Sequence, residues 1–232
     1  MSSARELLVA NLGLRPYQEV LELQRELARA RIAGELAQDL LLLVEHPPVV
    51  TLGRSAKEKH LIVPRAALAA RGVEVHEVER GGDVTFHGPG QLVGYPIVDL
   101  RRHKQDLHWY LRQVEEALIR GVAEFGIAGE RNPTFTGVWT AGRKLASIGV
   151  HARDWVTWHG FALNVTTDLT YFDLIVPCGI QSVTMTSIEH ELGDKTVPRI
   201  TDVGAAVAQA FGEVFSLEPT DMGADAVQLS SR

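Results

Sequence analysis

Apolar positions three and four residues apart mark the first element. Val20, Leu23, Leu27 and Ala30 form one stripe between Pro16 and Ala33, which predicts an amphipathic helix opened by Pro16 and stopped by Gly34. Leu40 to Val44 is instead a continuous apolar run, the pattern of a buried strand. Pro47-Pro48 interrupts the chain before a second run, Val49 to Leu52. Val73 to Val78 alternates with period two and reads as a half-buried strand, and Leu92 to Val98 as extended chain. Asp106 suits an N-cap. Leu107, Leu111, Val114, Leu118, Val122 and Phe125 then repeat at helical spacing until Gly126. Lys144 to Val165 reads as consecutive strands with a turn near Ala152-Arg153-Asp154. Thr186-Ser187-Ile188-Glu189 matches a capping box for a short helix ending near Gly193. A last amphipathic helix follows Thr201, with Val203, Val207, Ala210, Phe211 and Val214 facing inward. Beyond Ser216 the chain turns polar and reads as a loosely ordered tail. Helices flank a block of strands without alternating with them, so the fold class is α+β. No repeat or linker separates Pro16 from Phe215, which gives one domain over 1–215 and a flexible tail over 216–232.

Composition narrows the function classes. The 232 residues leave room for one large or two small domains, and 45% apolar against 22% charged is an ordinary globular mix. Lys plus Arg total 23 against 29 for Asp plus Glu, a net charge of -6 that argues against nucleic acid as a partner. The aliphatic run at Leu40 is far too short to span a bilayer, and Met1 to Glu6 has no signal-peptide features. A cytoplasmic protein with no membrane partner is expected. The single cysteine, Cys178, excludes an internal disulfide framework and a multi-thiolate zinc site.

The most unusual segment is Arg80-Gly81-Gly82-Asp83-Val84-Thr85-Phe86-His87-Gly88-Pro89-Gly90-Gln91, with four glycines and one proline in twelve residues. Such backbone can approach a ligand closely and offer free N–H groups to an anionic oxygen; a ligand-free surface turn has the same composition. A dinucleotide loop does not fit, because extended chain and not a helix follows Gly88-Pro89-Gly90. Gly137 to Lys144 fails as a phosphate loop: Arg143 separates Gly142 from Lys144, and Leu145 stands where a magnesium-binding hydroxyl is needed. The nine histidines contain no metal-ligand spacing, so no metal is expected. His46, His76 and His151 read as ordinary core or surface residues, whereas His87 and His159 each precede a glycine in a motif-like segment. Arg101-Arg102-His103-Lys104 reads as a solvated face or a docking patch for an acidic partner. A lone cysteine is commonly an inert buried residue, yet Pro177 and Gly179 place Cys178 in a loop. Lysine is commonly solvated, yet Lys144 opens an apolar strand signal.

Together these segments resemble the lipoyl(octanoyl) transferase family. The resemblance rests on Glu45-His46-Pro47, on Arg80-Gly81-Gly82 through Thr85, and on His87-Gly88-Pro89-Gly90-Gln91-Leu92. It continues through Gly137-Val138-Trp139, Lys144 to Val150, His159-Gly160-Phe161-Ala162-Leu163-Asn164, and Val176-Pro177-Cys178-Gly179, in family order over roughly residues 7 to 215. The terminal extensions and the Ala-Gly-Arg approach to Lys144 depart from the pattern. The resemblance implies a biotin/lipoate protein ligase-like α+β fold, a mixed sheet flanked by helices, and a Cys178–Lys144 dyad. It implies acyl-binding segments Arg80 to His87, Ser147-Ile148-Gly149 and Gly160-Phe161-Ala162. The implied donor is octanoyl-acyl carrier protein. The implied acceptors are lysines of the lipoyl domains of 2-oxoacid dehydrogenase E2 subunits and of the glycine-cleavage H protein.

A thioester donor is already activated, so neither ATP nor another cofactor is required. Only a few per cent of a free thiol is thiolate near neutral pH. An ammonium about 4 Å away contributes on the order of 4 kcal/mol toward the anion at an effective dielectric near 20. Backbone N–H groups of Gly179 or of the glycine loop are the expected oxyanion donors. Small residues at Gly149, Gly160 and Ala162 fit walls for a linear acyl chain. An ATP-dependent lipoate or octanoate ligase, an amide-to-amide octanoyl transferase and a non-catalytic acyl-binding module are the competing readings.

Overall fold

The computed structural model describes residues 5–179 and 183–227. In chain order the elements are β1 (Arg5–Leu14), α1 (Tyr17–Ala33), β2 (Asp39–Glu45), β3 (Val49–Leu52), α2 (Arg65–Ala70), β4 (Glu74–Glu77), β5 (Val84–His87), β6 (Gln91–Ile97), α3 (Leu107–Ala123), β7 (Glu130–Arg131), β8 (Val138–Thr140), β9 (Arg143–Arg153), β10 (Val156–Asn164), α4 (Ile188–Leu192), α5 (Ile200–Phe215) and β11 (Leu217–Asp221). The main sheet has the order β11-β1-β2-β6-β10-β9-β8-β7, and β4-β3-β5 form a second, small sheet. β1 runs parallel to β2 and β11, whereas the neighbours from β2 to β7 are antiparallel. The sheet is therefore mixed and flanked by helices, the α+β arrangement expected.

The continuous apolar run of β2 has a direct cause. Leu41 and Leu43 join the core under α3 and α5 with Val114, Leu118, Val207 and Phe211, while Leu40, Leu42 and Val44 pack toward α1 with Val20, Leu21 and Leu27. Each such side chain contributes roughly 1.5–3 kcal/mol on burial, so neither face of the strand tolerates a polar residue. At the centre of the sheet Gly94 on β6 pairs with Phe161 on β10. A Cβ at Gly94 would lie 2.1 Å from the Phe161 ring, so the ring fills the space a side chain would need.

Several local expectations shift by a residue or two. Pro16 caps α1 from outside, and Gln24 and Arg31 occupy buried places on its inner face. Asp106 caps α3 by accepting the Trp109 N–H at 3.0 Å. Leu107 and Leu111 leave the core stripe and line a cavity instead. The N-cap of α4 is Ser187 rather than Thr186, because Ser187 Oγ accepts the His190 N–H at 3.1 Å while the Thr186 hydroxyl donates to Glu191. The β9–β10 turn centres on Asp154 and Trp155, both left-handed.

Four elements differ from the sequence reading more substantially. β1 and α2 carry no clear period: β1 is paired on both edges, and only Leu68 of α2 is fully buried. A third of the glycine-rich segment 80–91 is strand β5, pairing with β3. Residues 217–221 are the outer strand of the main sheet and not a loose tail. Gly212 of α5 allows this, since a Cβ there would meet Pro219 at 2.5 Å. Pro219 is tolerated because an edge strand needs no donor on its open side. Val227 then packs back into the core beside α1. Residues 228–232 of the expected tail lie outside the described residues.

Candidate active site

One cavity of about 360 Å³ lies between the glycine-rich segment, β6, β9, β10 and the first residue of α1, within the usual range of about 300–1,000 Å³ for small-ligand pockets. Arg80, Gly81, Gly82, Asp83, Thr85 and His87 line it from one side. Ser147, Ile148, Gly149, Gly160, Phe161 and Ala162 line it from the sheet, and Lys144 and Cys178 stand together at its edge. Val84 and Phe86 depart from the expected set. Strand alternation turns their side chains away from Thr85 and His87 into a separate core with Phe172 and Leu174, where Phe86 stacks on Tyr171.

Lys144 Nζ donates to Cys178 Sγ at 3.2 Å, and Ser147 Oγ lies 3.8 Å from the same sulfur. Lys144 is 1% exposed, and among the described residues no carboxylate pairs with it. Its surroundings keep the stem straight. The Trp139 ring centroid is 5.4 Å from Nζ. A Cβ on Gly137 would lie 2.5 Å from the Ala146 carbonyl and 3.0 Å from Lys144 Cε, so glycine is needed there and lies against the stem. The buried carboxylate of Glu115 accepts the Gly137 N–H at 3.0 Å and is held by Arg112 and Arg131. Lys144 N–H donates to Thr184 O at 2.8 Å and its carbonyl accepts the Thr186 N–H at 2.9 Å, which ties the lysine to the chain beyond the cysteine.

Cys178 occupies a tight turn, Pro177–Gly179, with φ 57° and ψ 17°. A non-glycine residue in this left-handed region is a strained choice that clusters at functional sites. Gly179 is required for close approach, but to Asp83 rather than to the sulfur: an added Cβ would lie 2.5 Å from Asp83 Oδ2. Gly149 and Gly160 are small for a similar reason. Their added Cβ atoms would meet the Gly81 carbonyl at 2.9 Å and the Gly94 carbonyl at 2.2 Å, so they border the cavity while permitting backbone contact. Two of the expected oxyanion donors are already engaged. Gly179 N–H donates to Val176 O at 3.0 Å and Gly81 N–H to Val150 O at 2.8 Å.

Arg80 is buried, and its guanidinium donates to Thr51 O at 2.7 Å, Thr51 Oγ1 at 2.8 Å and Gly81 O at 3.1 Å. Burial shifts its proton affinity downward. At the closed end of the cavity lie Tyr17, His87, Tyr95 and His159, of which only His87 and His159 stood out in the sequence. His46, behind Tyr95, donates from Nδ1 to Arg15 O at 2.7 Å, so Nε2 accepts from Tyr95 Oη at 2.8 Å. Burial pushes His46 down to about 4, His87 down to about 3 and Tyr17 up to about 12. These groups stay neutral. His159 Nε2 is buried without a hydrogen bond, 3.8 Å from Glu79. His87 donates to Gln91 Oε1 at 2.8 Å, Gln91 to Asn164 Oδ1 at 2.9 Å, and Asn164 to Thr186 O at 2.9 Å. This chain links the closed end to the backbone partner of Lys144.

The lipoyl protein ligase A/B catalytic domain matches residues 16–212. The octanoyltransferase of Nostoc sp. is 49% identical over 217 residues, covering 92% of this chain and 94% of that protein. This chain belongs to the octanoyltransferase family. Another octanoyltransferase, from Acidobacterium capsulatum, is 51% identical over 218 residues with 88% of each chain covered. A bi-partite lipoate protein ligase from Thermoplasma acidophilum, described with its E2 lipoyl domain, has the same fold. The TM-score is 0.73 at 16% identity, over 95% of this chain and 87% of that one. Among the described residues no helix is long and apolar enough to cross a membrane.

Proposed function

We propose that this octanoyltransferase-family enzyme moves an octanoyl group from octanoyl-acyl carrier protein to a lysine of lipoyl domains of 2-oxoacid dehydrogenase E2 subunits and of the glycine-cleavage H protein, through a thioester on Cys178. The observation that carries the reading is the 3.2 Å contact between Lys144 Nζ and Cys178 Sγ at the edge of the cavity. An ammonium and a thiolate at that separation attract strongly where water is scarce. The Cys178 thiolate attacks the donor carbonyl, a new C–S bond forms, and the carrier thiolate leaves with the proton of Lys144. Lys144 is then neutral and serves as base for the acceptor amine, whose attack forms the amide and returns Cys178 to thiolate. Nζ of Lys144 and Oγ of Ser147 are the side-chain donors beside the sulfur during these steps. Each methylene buried in the cavity contributes about 0.8 kcal/mol, enough over eight carbons to select chain length.

Intact mass tests the reading. Incubation with octanoyl-acyl carrier protein alone is expected to add one octanoyl group, and Cys178→Ala to abolish the adduct. An adduct that survives in Cys178→Ala overturns the assignment. Modification of the acceptor that needs ATP and free octanoate would instead make the protein a ligase.

A further inference from the structure

Proton balance shows what the dyad alone leaves undone. An acceptor lysine arrives as an ammonium, and converting it to an amide removes two protons from one nitrogen. Lys144 gives a proton to the carrier thiolate when the acyl-enzyme forms and can take back only one. Where the amine has not already lost its first proton to bulk water, that proton needs another acceptor near the thioester, in contact with water.

We propose that His60, oriented by Asp83, is this second proton acceptor, taking a proton from the acceptor ammonium and passing it to solvent. The inference rests on the thioester reading above. His60 ends the single turn 58–60, and its Nδ1 lies 2.8 Å from Asp83 Oδ2 and 2.9 Å from Oδ1. Nδ1–H donates to that carboxylate, so the lone pair of the neutral ring sits on Nε2, which has no hydrogen-bond partner among the described residues. Asp83 is itself fixed, since its Oδ1 accepts the Val84 N–H at 2.8 Å.

The pair presses on the residue directly after the nucleophile. A Cβ added to Gly179 would lie 2.5 Å from Asp83 Oδ2 and 3.3 Å from His60 Cε1. Backbone bonds make the two turns one unit: Val176 N–H donates to His60 O at 2.8 Å and Ile62 N–H to Leu174 O at 2.9 Å. Asp83 and Cys178 border the same cavity. The side chains of His60 and Asp83 are 15% and 11% exposed, enough for water to reach them. Facing His60 are Asp83, with Arg80 behind it, and the Cys178 turn. Lys57, Glu58 and Lys59 on its own turn are exposed. The histidines that line the cavity, His87 and His159, are sealed in the interior and cannot hand a proton to solvent.

Separating the half-reactions tests this. Acyl-enzyme formation is followed by intact mass with octanoyl-acyl carrier protein. The isolated acyl-enzyme is then discharged either to a lipoyl domain or to hydroxylamine, which is neutral at the assay pH and arrives with one proton fewer. His60→Gln is expected to form the acyl-enzyme at the wild-type rate, to discharge to the lipoyl domain about a hundredfold more slowly, and to discharge to hydroxylamine normally. Asp83→Asn, whose side chain also borders the acyl cavity, is expected to slow discharge to the lipoyl domain more than discharge to hydroxylamine, and that ratio carries the test where His60→Gln fails to fold. Lipoyl-domain discharge at the wild-type rate would overturn the proposal. So would equal loss with both nucleophiles, which would mean that His60 merely supports the cysteine turn. Absence of any acyl-enzyme in the wild type would overturn the thioester reading instead.

Discussion

The two ends of the cavity hold similar side chains under opposite conditions. At the open end the buried Lys144 meets the partly exposed Cys178, and beside the cysteine turn His60 and Asp83 pair within reach of solvent. At the closed end Tyr17, His46, His87 and Tyr95 are buried in mutual contact, and burial holds their rings uncharged. Access of water to Cys178, His60 and Asp83, not residue type, separates a place for chemistry from a wall that only gives shape.

Removing the charge at the open end has the largest expected effect. Lys144→Met keeps the buried stem, and transfer turnover is expected to fall about 10²–10⁴-fold. The melting temperature holds or rises, because a buried charge without a carboxylate has gone. Turnover close to wild type would place the chemistry elsewhere. Gly179→Ala comes next, since it forces a Cβ to 2.5 Å from Asp83 at a left-handed φ. A loss of about 1–3 kcal/mol is expected in the denaturation midpoint, together with slower adduct formation. An unchanged midpoint would show that Asp83 does not confine the turn.

Acid should act on the closed end. Unfolded imidazoles bind protons below about pH 6.5, whereas His46 and His87 resist until about 4 and about 3. Their contribution is full above that upper limit and is lost as pH falls through the window, by up to about 1.4 kcal/mol per pH unit for each ring. Urea unfolding from near neutral pH to about pH 4.5 reads the slope, and His46→Gln should reduce it; a flat profile would mean that water reaches the closed end. The smallest effect is expected from Tyr95→Phe, which leaves His46 Nε2 without its donor and costs about 1–2 kcal/mol in the same midpoint.

How much was legible in the sequence depended on how local the signal was. The apolar run of β2 and the stripes of α1, α3 and α5 announced themselves because burial repeats along the element. The glycine-rich segment was recognisable, but not its internal strand, so Val84 and Phe86 were grouped with Thr85 and His87 although alternate residues of β5 face different cores. Gln91 and Asn164 stood within recognised motifs, yet their purpose, a hydrogen-bonded chain to Thr186, spans distant segments. His60 left no local trace, because its partner Asp83 is 23 residues away.

The sequence by itself determined the α+β class, the principal helices and strands, the absence of a disulfide framework, and which family motifs the chain carries. These follow from periodicity, turn chemistry and residue type, which act over a few neighbouring positions. Tertiary structure alone decided that Lys144 Nζ meets Cys178 Sγ, that the chain after Ser216 closes the sheet, and that one group of histidines is dry while His60 reaches water. Those outcomes depend on which surfaces exclude solvent from one another, and solvent exclusion is a property of the packed chain.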